Sequence, residues 1–284
     1  MNTVPAQTLS QDEMLVRMWL HGRQPNTALA YAADVQRFAA FCGKPIAHWA
    51  LADLQDWDAA GDALSRATRA RRAASVKSLL SFALKMGYIA LNPGVALKVE
   101  KASSTSAERI LTRAEVARMI GAEVDARLRA LLRLLYVCGL RASEACGLRW
   151  RDMAGTERKG GEARILGKGG KLRSVVVPAD LWRELAALTS APRPESPVVP
   201  ARNGELLDRA AVHRAVKRAA RRAGVNGAAS PHWLRHSHAS HALDNGCPPH
   251  VLQASMGHAS LGTTTRYLHV KAGEGSASFI KAGQ

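Results

Sequence analysis

Residues 230–270, SPHWLRHSHASHALDNGCPPHVLQASMGHASLGTTTRYLHV, contain a His-x-x-Arg pair (His232, Arg235), a Gly-His pair (Gly257, His258) and, nine residues after that histidine, Tyr267. Cationic groups beside an imidazole and a phenol suit one task well: holding a phosphodiester while an oxygen nucleophile attacks it. A guanidinium binds phosphate oxygens in bidentate fashion and stays charged at any working pH. Charge that develops on the phosphorus oxygens is best met by donors already in place. A tyrosine can then act as the covalent nucleophile. On its own, Tyr267 would be an ordinary core or surface aromatic, so the case rests on the constellation.

Further candidates lie upstream. Arg141 stands in Gly-Leu-Arg-Ala-Ser-Glu, with Glu144 three residues on to orient it. Lys168 sits in GKGGK, between two apolar runs that predict a hairpin. A phosphate-cradling P-loop is excluded, because GxxxxGK[ST] is absent. A lysine at a hairpin tip can instead protonate a leaving oxygen as general acid. Its neighbours Lys171 and Arg173 are equally basic and read as DNA contacts. The density of His232, His236, His238, His241 and His250 raises a metal reading, but HEXXH is missing and Asp244 is the nearby carboxylate. No metal is expected, and His236, His238 and His241 read as structural or DNA-facing. Near the N-terminus, Arg66, Arg69 and Arg72 fall at i, i+3, i+6, with Arg71 and Lys77 beside them. Residues 65–87 offer no acidic partners at i±4, so this stripe reads as a phosphate-backbone contact.

The elements that must position these groups are mostly helices. Ser10 with Glu13 predicts a capped helix that ends near Gly22. Further helices are expected over 26–42, 51–60 and 65–87. Residues 97–110 lose apolar periodicity. Thr112 with Glu115 then caps a new helix, and a leucine-rich, buried helix is expected over 126–138. A hairpin of residues 163–166 and 172–177 is the one β segment expected. Helices follow at 179–189, 208–223, 232–245 and 248–256. The organisation read from this is a helical domain over 1–98, a linker over 99–110 and a second domain over 111–284.

The 284 residues are 47% apolar, enough for a core in one large or two modest domains. A net charge of +17 argues for a polyanionic partner, nucleic acid before membrane surface. No apolar run approaches the roughly 18 residues of a membrane span. The leader MNTVPAQTLSQDE lacks a signal-peptide pattern, so a cytoplasmic, DNA-associated chain is expected. The four cysteines show no CxxC spacing and read as buried free thiols.

With these residues assembled, the chain resembles the tyrosine recombinases of the phage integrase family, in their compact Xer-like form. The family's pattern is matched by Gly139-Leu140-Arg141 with Glu144, by Lys168, by His232 and Arg235, by Gly257-His258 and by Tyr267, in that order. The resemblance implies a mainly α fold with a small β-sheet: an N-terminal SAM-like core-binding domain and a C-terminal catalytic domain that close around duplex DNA. It also implies roles. Arg141, Arg235 and His258 would hold the scissile phosphate and Tyr267 would attack it to give a 3′-phosphotyrosine. Lys168 would protonate the 5′ oxygen, His232 would assist proton transfer, and Glu144 would support the arginines. Neither ATP nor metal would be needed, because one ester replaces another. A Holliday junction and four protomers follow, as a homotetramer or together with a related recombinase. Two rivals share parts of the pattern: a type IB topoisomerase, which uses the same chemistry, and a non-catalytic DNA-binding protein on the same fold. Length and the N-terminal helical domain favour the recombinase over the first; retention of all six catalytic residue types favours it over the second. The run of histidines after Arg235 departs from the family's usual Thr, Ala and aliphatic residues.

Overall fold

The computed structural model describes residues 10–99, 110–167, 170–189 and 192–257. The chain divides into two compact units, residues 1–104 and 105–284. In the first, helix α1 (Gln11–Leu20) opens with the expected capping box: Ser10 Oγ accepts from the Glu13 amide, and Glu13 accepts from the Ser10 amide at 2.8 Å. Helix α2 (Pro25–Cys42) stops at Gly43, whose φ of 63° is the left-handed cap that glycine adopts at low cost. Helices α3 (Leu51–Ala60) and α4 (Arg66–Lys85) complete the unit. Their inward faces place Leu15, Phe38, Leu54, Val76, Leu79 and Leu80 in one core, with Phe38 packed edge-on against Trp49 at 4.6 Å. Full burial of each such side chain contributes about 2 kcal/mol.

The second unit is organised around α6 (Ala126–Val137). Leu131, Leu132, Leu134 and Leu135 are all fully buried, as a helix apolar on nearly every face requires. Around it lie α5 (Arg113–Gly121), α7 (Ala142–Gly147), α8 (Ala179–Ala186), α9 (Arg209–Arg222), α10 (Pro231–Asp244) and α11 (Pro249–Met256). Thr112 and Glu115 form the expected capping box at the start of α5. The Leu111 amide, just before it, donates to Ser237 Oγ at 2.8 Å and so ties the entry of the unit to α10.

The expected hairpin is present as β2 (Gly160–Leu166) and β3 (Leu172–Val177), in antiparallel register with Leu166 opposite Leu172. A third strand, β1 (Met153–Thr156), pairs with the far edge of β2 and makes a three-stranded sheet in the order β1-β2-β3. The sequence MAGT lacks the β-branched run that announces a strand. It pairs because Gly155 and Gly161 let the two backbones approach: a Cβ on Gly161 would stand 2.2 Å from the Ala154 carbonyl oxygen. The four cysteines are free thiols, but only Cys138 is fully buried, which corrects the expectation for Cys42, Cys146 and Cys247. Among the described residues, no helix is long and apolar enough to cross a membrane.

Candidate active site

Arg141 is the N-cap of α7, placed there by the break after α6 at Gly139, whose φ is 59°. Glu144 sits at the third position of that helix and folds back on the cap. It accepts from the Arg141 amide and from Arg141 Nη1, each at 2.8 Å. Arg235, on the first turns of α10, is almost wholly buried and lies 3.9 Å from the same carboxylate. Its guanidinium donates to the carbonyl oxygens of Gly139 and, at 2.5 Å, of Met256. Arg141 Nη2 donates to the Gly257 carbonyl at 3.3 Å. Two arginines 94 positions apart in sequence thus meet at one carboxylate and at the end of α11, where Gly257 turns the chain with a φ of 63°.

Arg173 completes the cluster. In β3, residues 173, 175 and 177 share a face, and Val175 and Val177 are buried. Arg173 therefore points inward, opposite buried Ile165. It pairs bidentately with Glu144, at 2.9 and 2.8 Å, and its Nε donates to the Ser255 carbonyl at 2.7 Å. Its side chain is only 9% exposed, which corrects the expectation that Arg173 faces DNA. The period-two alternation of LRSVVV held that signal. Lys171, two residues before it and past the turn, is exposed. Burial raises the pKa of the Glu144 carboxyl, but the hydrogen bonds and charges of Arg173 and Arg141 outweigh it and hold the group below the usual carboxylate range.

His232 is exposed at the start of α10, its ring edge-on to His236 with centroids 4.8 Å apart. His238 packs against the backbone of Gly139, so closely that a Cβ there would come within 2.6 Å of its Cδ2. Burial pushes its pKa down to about 4 against a hydrogen bond with the Tyr136 backbone, leaving the ring neutral. His241 shares a 2.8 Å hydrogen bond with the Tyr136 hydroxyl. His238 and His241 thus have structural places, against Gly139 and Tyr136. Among the described residues, no three His, Cys, Asp or Glu side chains converge to hold a metal ion. Lys168, His258 and Tyr267 lie outside the described residues.

The basic stripe on α4 is more occupied than its local sequence suggests. Arg69 pairs with Asp58 at 2.8 Å and Asp62 at 2.6 Å, and Arg71 pairs with the fully buried Asp34. Lys77 donates to the Leu97 carbonyl at 2.7 Å, and the Arg72 guanidinium stands 5.9 Å from the Trp57 ring centroid. Arg66 is exposed on the first turn. The acids come from α2, α3 and the turn after α3, beyond any i±4 relation. The stripe has no acid at i±4 within residues 65–87, as read, but Arg69 and Arg71 find acidic partners elsewhere in the fold.

Comparison with known proteins agrees with this architecture. Residues 105–274 match the phage integrase family, and residues 18–87 match the N-terminal SAM-like domain of phage integrases. The tyrosine recombinase XerC of Mycobacterium bovis is 36% identical over 276 residues, covering 88% of this chain and 89% of the relative. Among solved structures, the Tn1549 transposon integrase in complex with circular intermediate DNA superposes with a TM-score of 0.76 at 18% identity, over 94% of this chain and 98% of that one. The XerH site-specific recombinase bound to its difH substrate does so with a TM-score of 0.67 at 22% identity, over 86% and 76%. The shared fold and the match across most of the chain place this protein in the phage integrase family, as a XerC-like tyrosine recombinase.

Proposed function

We propose that the protein cuts and rejoins duplex DNA at a specific core site through Tyr267. The observation that carries this reading is the convergence of Arg141 and Arg235 beside Glu144, at 2.8 and 3.9 Å. Two guanidinium groups fixed by backbone and carboxylate form a preorganised seat for one phosphodiester. Tyr267 attacks the phosphorus, the bond to the 5′ oxygen breaks, and a 3′-phosphotyrosine forms. Lys168 delivers a proton to the departing oxygen, His232 takes the phenolic proton, and His258 donates a hydrogen bond to the phosphate. A 5′-hydroxyl from a partner strand reverses the chemistry, giving a Holliday junction. Four copies act together on two sites, as a homotetramer or with a related recombinase. Arg66 and Lys171 contact the phosphate backbone.

The test is covalent capture. A randomised duplex pool is incubated with the protein, trapped species are amplified, and the selected duplex is nicked to prevent religation. Wild-type protein should form an adduct on denaturing gels without metal or nucleotide, and Tyr267→Phe should form none. An adduct that persists in Tyr267→Phe sinks the nucleophile assignment. Free relaxation of supercoils with no sequence preference sinks site-specific exchange.

A further inference from the structure

Arg173 is not explained by the roles above, yet it donates to both Glu144 carboxylate oxygens and to the Ser255 carbonyl. Glu144 is almost buried and within hydrogen-bonding distance of Arg141. A carboxylate paired with Arg141 alone would neutralise the cation that must bind phosphate, and would compete with the substrate for it. Arg173 prevents that. It engages both carboxylate oxygens and sets three guanidinium groups against one carboxylate, so positive charge is left for the substrate.

Arg173 also spans three segments. It grows from β3, clamps the start of α7 through Glu144, and holds the end of α11 through the Ser255 carbonyl. Gly257 is packed on it: a Cβ there would lie 3.1 Å from Arg173 Cδ. We infer that Arg173 is a positioning residue of the recombination reaction: it satisfies Glu144 so that Arg141 and Arg235 stay available, and it fixes the end of α11 against them. Lysine cannot reproduce this, because a single ammonium cannot span both oxygens and the Ser255 carbonyl together. The inference rests on the assignment of Arg141 and Arg235 as phosphate ligands.

The experiment uses the full chain and the nicked duplex obtained by covalent capture. It reads DNA affinity across salt concentrations, the cleavage rate at saturating DNA, and thermal stability. Arg173→Ala should bind with unchanged affinity and salt slope yet cleave about 100-fold more slowly, the order expected from misplacing a reacting group by about an ångström. Arg173→Lys should fall between that variant and wild type. Removing the competing charge with Glu144→Gln in the Arg173→Ala background should recover cleavage about tenfold, because contacting residues are not additive. Three results overturn the inference. Weakened affinity, with the log–log salt slope lowered by about 0.9 and normal cleavage at saturation, makes Arg173 a phosphate contact. Loss of stability and cleavage together, with no recovery in the double variant, makes it a structural brace only. An adduct still formed by Tyr267→Phe removes the reading beneath the inference, and that control separates the two failures.

Discussion

A single carboxylate governs the site. Glu144 keeps its negative charge in near-complete burial because Arg173 and Arg141 surround it. The nearby His238 takes the opposite course: buried against Gly139 beside Arg235, it stays neutral, with its pKa near 4 instead of 6.5. The consequence for stability has a definite sign. On acidification the unfolded chain protonates this histidine first, so stability falls as pH drops from about 6.5 toward 4. Burial and charge lower the His241 pKa too, and Glu144 adds stability that is lost below the carboxylate range. Urea unfolding at pH 7 and pH 5 should differ by about 2 kcal/mol through His238. His238→Gln should flatten most of that difference, leaving the part due to His241. A profile that is equally steep in the variant would mean that His238 ionises in the folded protein.

At the level of elements, the site is a meeting of ends: the break between α6 and α7, the first turns of α10, the last turn of α11 and the inner face of β3. Gly139 lets the first two approach. There a left-handed backbone, the His238 ring and an Arg235 anchor coincide. Gly139→Ala combines an unfavourable φ with a Cβ 2.6 Å from His238, and should cost about 3 kcal/mol. Because the carbonyl that holds Arg235 moves with it, cleavage should fall further than the loss of folded protein accounts for. Calorimetry alongside single-turnover cleavage checks this. Cleavage that tracks the folded fraction alone would show that the Arg235 anchor tolerates the shift.

Across the whole molecule, a net charge of +17 overstates the cations free to meet phosphate. Several arginines are already paired within the fold, among them Arg69, Arg71, Arg133 and Arg222. Filter binding over a salt series should separate the classes. Lys171→Ala should lower the log–log slope by about 0.9. Arg69→Ala should leave the slope unchanged and destabilise the N-terminal unit by about 1 kcal/mol. Equal slopes for Lys171→Ala and wild type would remove Lys171 from the interface. What the sequence alone determined is what neighbours along the chain decide. The two capping boxes, the glycine stop after α2 and the leucine density of α6 are set by three- and four-residue spacings, and the family by the order of Arg141, Glu144, Lys168, His232, Arg235, His258 and Tyr267. What tertiary structure alone decided is which charges meet. Asp34 lies 37 positions from Arg71, and Glu144 lies 29 from Arg173. β1 pairs where Gly155 and Gly161 let the two backbones approach. Pairing and desolvation act through space, so the Arg173 side chain is 9% exposed against Glu144 while that of Arg141, paired with the same carboxylate, stays 32% exposed.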